Sequence, residues 1–179
     1  MTARKGHQVD LSRVLSEPRL NHDVEFDWHD FESEFEIDLP FGYKNFISAY
    51  GPCVISDTLM LFHPRAPEAD DSLSLRWKTR TVSALYAQTE PSLVPYKIFP
   101  MEGGVFPIGH TTLGNQIFLR PRAHGLGEGW SVLVDWGGAW LDYQMGFEEF
   151  LPNALSGDVH FFHESVLEDP SYELVGRVQ

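Results

Sequence analysis

The sequence predicts an α+β fold, with a mostly antiparallel twisted sheet of five to six strands flanked by N-terminal helices and a C-terminal helix. Three observations lead there. Aromatic residues recur at helical spacing between Asp27 and Tyr50, and short apolar runs separated by turn residues fill the chain up to Tyr143. The stretch FEEFLPNAL then restores a helical period before Gly157. Helices, then strands in hairpin succession, then a helix is the α+β order and not the alternation of a parallel sheet.

Each element has its own signal. In DWHDFESEFEIDLP, Trp28, Phe31 and Phe35 lie on one face of a helix, with Asp27 as the expected N-cap and Asp30 in the first turn. A second helix over about 41–50 groups Tyr43, Phe46, Ile47 and Tyr50. Gly51 is expected to end it as a left-handed cap, with Pro52 barring continuation. CVIS and TLMLF read as two strands around a turn at Ser56-Asp57. Residues 64–75 have loop composition, 76–88 show a poorly periodic helical pattern, and 90–100 read as an extended connection with three prolines. VFPIGHTTLGNQIFLRPR is a hairpin about Leu113-Gly114-Asn115, and HGLGEGW turns into the strand WSVLVDW. Gly137-Gly138 then turns the chain into AWLDY. Pro152 conflicts with an unbroken last helix, which is expected to kink or restart there. Aromatics blur the strand alternation, so both faces of the sheet are expected to be at least partly covered.

At 179 residues, with 42% hydrophobic and 13% aromatic content, the chain suffices for one self-sustaining core. No apolar run approaches the ~20 residues of a membrane span, and MTARKGHQVDLSR lacks the apolar centre of a secretory leader. Cys53 is the only cysteine, which excludes an internal disulfide and a cysteine zinc cluster. A cytoplasmic protein without metal or cofactor is the expectation.

The net charge of −13 is segregated. Residues 20–43 carry eight acids and 123–176 carry ten, neither stretch holding a lysine or arginine. Taking eight and ten from 26 leaves eight acids against all 13 basic residues elsewhere. Two extended negative regions are therefore expected, which would repel nucleic acid and attract a basic protein.

The chemistry-bearing residues do not form a reactive constellation. His160 and His163 have a spacing suited to a metal on a helix, yet no acid or third histidine stands at a matching position. His63, beside Pro64, and His110, near a hairpin, read as hydrogen-bonded structural residues. Cys53 follows a helix C-terminus, whose partial negative charge opposes a thiolate. GLGEG at 125–129 lacks both the spacing and the lysine of a phosphate loop, and Glu128 would repel phosphate.

LPFGYKNFISAYG resembles the opening signature of the SUKH superfamily, the domain shared by a fungal cell-wall-synthesis regulator and many bacterial immunity proteins. The family pattern is matched by Trp28, Phe31-Glu32, Leu39-Pro40, Tyr43 and Gly51, and then by VFPIGHTTLGNQIFL with Gly114-Asn115 and by GFEEFLPNAL. The likeness spans about residues 25–156; His110 stands where an acid is common in the family, and Gly51-Pro52 replaces its doubled glycine. Residues 1–22 show no steady period and read as a loosely attached N-terminal arm or a short helix, ahead of a SUKH-like domain at 23–157 and a C-terminal extension at 158–179 packed on it. The resemblance implies a non-catalytic protein that binds and blocks a toxin, often a nuclease, through protein–protein contact. Glu32, Asp57, Glu128, Asp135, Trp136, Trp140 and Asp142 are the contact candidates, being at turns or strand ends or aromatics able to anchor an interface. A regulatory scaffold of the same fold is the first alternative, and a ligand- or metal-binding enzyme using the histidines is the second.

Overall fold

A computed structural model describes residues 11–18, 24–66, 74–122 and 129–175. A seven-stranded sheet organises them, with every strand pair antiparallel, so the α+β class holds while the count exceeds the expected five to six. The order is β6-β5-β4-β3-β2-β1-β7. The strands are β1 (Cys53–Ile55), β2 (Leu59–Leu61), β3 (Phe106–Thr111), β4 (Gln116–Pro121), β5 (Trp130–Asp135), β6 (Trp140–Asp142) and β7 (Tyr172–Leu174). The first six form a meander. The additional strand, β7, belongs to the C-terminal extension and pairs with β1, making that segment part of the sheet.

The helices are α1 (Leu11–Leu15), α2 (Val24–Phe35), α3 (Phe41–Tyr50), α4 (Leu75–Ala87), α5 (Phe147–Ser156) and α6 (Glu164–Leu167), with a 3-10 turn at Pro91–Leu93. α2 begins at Val24, four residues earlier than the N-cap assignment of Asp27 requires. Asp27 therefore lies inside the first turn, buried, and ion-paired to Arg65 at 3.0 Å. Trp28 and Phe31 are buried and Phe35 partly so, as the spacing demands. α3 buries Tyr43, Phe46, Ile47 and Tyr50. Gly51 is not left-handed: with φ −91 and ψ 161 it leads straight toward β1, its N–H donating to Ile47 O at 2.8 Å. A side chain there would meet Ile47 O at 3.1 Å. The left-handed cap belongs to Gly157 at the end of α5 (φ 80). α5 continues through Pro152, which falls early enough that the one donor it lacks is that aimed at the first-turn carbonyl of Glu148.

Strand alternation assigns the two faces. Ile117 and Leu119 of β4 and Val132 and Val134 of β5 join the larger core with α2, α3 and α5. Phe118 and Leu133, one residue out of phase and cross-strand partners, join Val82 of α4, Ile98 and Val105 in a second core. The sheet is thus covered on both sides. The weak periodicity of α4 has a visible cause: polar Lys78 and Thr79 occupy buried positions of its inner face. No helix among the described residues is long and apolar enough to cross a membrane.

Candidate partner-binding surface

Most of the predicted contact residues turn out to be occupied within the fold. Glu32 projects from α2 to the start of α3, where its Oε1 accepts from Leu39 N and from Lys44 Nζ, both at 2.8 Å. Asp135, at the end of β5, is buried; it accepts from Tyr86 OH and from Gly138 N, each at 2.5 Å. Asp142 on β6 pairs through Oδ2 with Arg120 and accepts from Gln144 N at 2.9 Å. Trp136 is half-buried against Phe161 at 5.6 Å. Trp140 stacks on Phe118 at 5.5 Å and donates from Nε1 to Leu93 O at 3.1 Å. Asp135, Trp136, Trp140 and Asp142 share the β5–β6 hairpin at one edge of the sheet, whereas Asp57 lies at the β1–β2 turn toward the other. Glu128 falls outside the described residues.

The two expected negative regions fare differently. In the first, cations of other elements pair with four of the acids, while Glu25, Asp30 and Glu36 stay exposed with no ion pair among the described residues. Asp27 pairs with Arg65, Glu32 and Asp38 with Lys44, and Glu34 with Arg76 at 2.9 Å and Arg80 at 2.5 Å. Arg76 and Arg80 stand four apart on α4, so both guanidiniums reach one carboxylate, and each lies over a ring of α2, Phe31 and Phe35 respectively. The second region keeps most of its charge, Asp142 with Arg120 being its one ion pair among the described residues. Glu148, Glu149, Asp158, Glu164, Glu168, Asp169 and Glu173 are all exposed, and no cation of the described residues pairs with any of them.

Packing gathers several of these acids. Gly157 abuts Leu167, a Cβ there falling 2.9 Å from Leu167 Cδ1, so α6 lies against the end of α5 and shares that end with Asp158. Ser56 N donates to Ser171 O at 2.9 Å and Ser171 N to Ser56 Oγ at 3.1 Å, which sets Asp57 beside the segment carrying Asp169. Asp57 is exposed, and alone of the described contact candidates belongs to this negative side. A cavity of about 710 Å³ opens between α1, α3 and α5, with the stacked rings of Phe46 and Tyr50 (4.8 Å) and Phe147 in its wall and Glu17 and Glu148 among its lining. The seven unpaired acids were visible in the sequence only as a stretch without Lys or Arg. Which stretch would stay unpaired depended on partners 38 to 46 residues away, such as Arg65 for Asp27 and Arg80 for Glu34.

The histidines and the thiol take structural positions. His163 caps α6, its Nδ1 accepting from Ser165 N at 3.2 Å, and His160 precedes the helix in a bend, so the two do not share a helical face. His63 is fully buried, 3.9 Å from Asp27. His110 Nδ1 meets Lys78 Nζ at 2.9 Å; burial holds Lys78 down to about 8, and burial together with the Lys78 charge holds His110 down to about 4. Burial pushes the Cys53 thiol well up, away from thiolate chemistry. Among the described residues no three or more His, Cys, Asp or Glu converge as metal ligands. Comparison of the chain with protein-family models, with curated proteins and with solved structures finds no match.

Proposed function

We propose that this chain is a non-enzymatic binding protein of the immunity type, which neutralises a basic toxin domain, of nuclease class, by occluding it. The observation that carries the reading is the contrast between the two acidic stretches. Glu32 and Glu34 of α2 are paired with cations of α3 and α4 and Asp27 with Arg65, while the seven acids from α5 to β7 have no cation partner among the described residues at the surface. A nuclease grips phosphates with a cleft of Lys and Arg. A coherent negative surface accelerates encounter with such a cleft and competes for it without turnover. Asp57, Asp158, Glu164, Glu168, Asp169 and Glu173 form the proposed contact surface, and the resemblance of the Leu39–Gly51 segment to SUKH immunity proteins supports the same role. The reading places the protein in the cytoplasm, with the toxin's substrate.

The test is co-expression with each toxin-like domain encoded beside the gene. Rescue of growth is expected, together with an association rate that falls about tenfold or more when Asp158, Glu164, Glu168 and Asp169 are changed to Lys. Failure to rescue from any neighbouring toxin, or an association rate indifferent to that charge reversal, refutes the proposal.

A further inference from the structure

On the opposite side of the charge balance, the chain concentrates positive groups in one groove. A cavity of about 370 Å³ is lined by Pro95, Tyr96, Lys97, Val105, Arg120 and Arg122, among others. β4 supplies Arg120, Arg122 follows its end, and the connection leading to β3 supplies Lys97. Alternation along β4 turns Phe118 into the second core and carries Arg120, two residues on, over the same face at the rim. There its guanidinium lies 5.1 Å from the centre of the Tyr96 ring.

The partners of these cations leave capacity unused. Among the described residues Lys97 Nζ touches only a backbone acceptor, Glu102 O, at 3.4 Å. Arg122 donates through Nη2 to Gln144 O, while its Nε, shut off from solvent, has no acceptor. Arg120 pairs with Asp142, the one carboxylate of the described residues bonded to the group. Among the described residues, three cations against one carboxylate leave two positive charges. A phosphate monoester carries about −1.5 to −2 at neutral pH, and guanidinium forks match its oxygens. The volume lies within the ~300–1,000 Å³ typical of small-molecule sites and far exceeds the ~30 Å³ of a water.

We propose that this groove binds the phosphate of a small phosphorylated molecule, with Lys97, Arg120 and Arg122 holding its oxygens and Pro95, Tyr96 and Pro121 receiving its organic part. The site is separate from the acidic surface and does not depend on the toxin-binding reading.

The full chain, isotopically labelled, is titrated with phenyl phosphate, inorganic phosphate and phenol at fixed ionic strength, following amide resonances and heat. Saturable shifts at Tyr96, Lys97, Gly103 and Arg122 are expected with phenyl phosphate, weaker ones with inorganic phosphate and none with phenol. Lys97→Gln and Arg122→Gln each weaken binding roughly tenfold, the equivalent of one charge-assisted hydrogen bond. Asp142→Asn, which releases Arg120 while keeping an oxygen for Gln144 N, tightens binding several-fold; a merely damaged fold would loosen it. The proposal is overturned by the absence of saturable shifts at these amides, by displacement with chloride as readily as with phosphate, or by affinities that Asp142→Asn fails to raise. Equal affinity for phenyl phosphate and inorganic phosphate overturns the assignment of an organic subsite.

Discussion

Replacing Glu32 by Ala separates a scaffold carboxylate from one kept for a partner. Its Oε1 accepts from the Leu39 backbone N–H and from Lys44 Nζ, with side-chain exposures of 19% for Glu32 and 14% for Lys44. Leu39 is buried, so truncation strands a donor where water reaches poorly, at about 1–3 kcal/mol. The ion pair lies between the exposed case, ~0.2–1 kcal/mol, and the buried one, ~3–5 kcal/mol. Taking about 1 kcal/mol for it gives a loss of about 2–4 kcal/mol. With a urea dependence near 2 kcal/mol per molar, the unfolding midpoint should fall by about 1–2 M. Glu32→Gln keeps an acceptor for Leu39 N and should lose only about 1 kcal/mol. A double-mutant cycle of Glu32→Gln with Lys44→Met should return a coupling near 1 kcal/mol. A loss below about 0.5 kcal/mol for the alanine variant would show that the α2–α3 corner is held without this carboxylate, and the scaffold role would be wrong.

Three further outcomes are expected. Between pH about 4 and the ordinary histidine value, the unfolded chain binds a proton that folded His110 refuses, so stability should rise with pH there; between about 8 and the ordinary lysine value Lys78 should act likewise. His110→Gln should flatten the acid limb and Lys78→Met the alkaline one in urea midpoints measured against pH, and unchanged slopes would contradict the packing described. Cys53, buried in β1, should resist thiol reagents in the native protein and react fully in denaturant, as absorbance of released thionitrobenzoate would record; rapid native labelling would count against it. Tyr172→Ala removes both the bond from Tyr172 OH to Tyr50 O (3.0 Å) and the edge-on ring contact with Tyr50 (5.2 Å). It should lower stability by about 2–4 kcal/mol and speed hydrogen exchange in β1, and normal protection of β1 would refute the role given to β7.

The parts legible in the sequence are those whose signal is local. Trp28, Phe31 and Phe35, or Tyr43, Phe46 and Tyr50, declare a helical face without reference to anything distant, and Gly114-Asn115 and Gly137-Gly138 mark hairpins by turn chemistry alone. β7 was missed because Tyr-Glu-Leu is too short to alternate visibly and becomes a strand only by pairing with β1. The cap of α3 was misread because Gly51 answers to crowding by Ile47 and not to a left-handed turn. The fate of each carboxylate was hidden for a related reason. Glu34 and Asp38 look alike in a run of acids, yet Glu34 is clasped by two arginines of α4 and Asp38 stays almost wholly exposed at the edge of Lys44. The groove of Lys97, Arg120 and Arg122 joins residues of the β3 connection to the end of β4, which no spacing rule relates.

The return of β7 to β1 also bears on how the protein is made. Ser56 and Ser171, 115 positions apart, must meet before the β1 margin is sealed. While a ribosome is still adding the intervening residues, the nascent meander can assemble from β1 to β6 with that margin bare, able to recruit a neighbouring chain. Cells should therefore recover more soluble product when translation between β6 and β7 is fast or a chaperone attends it.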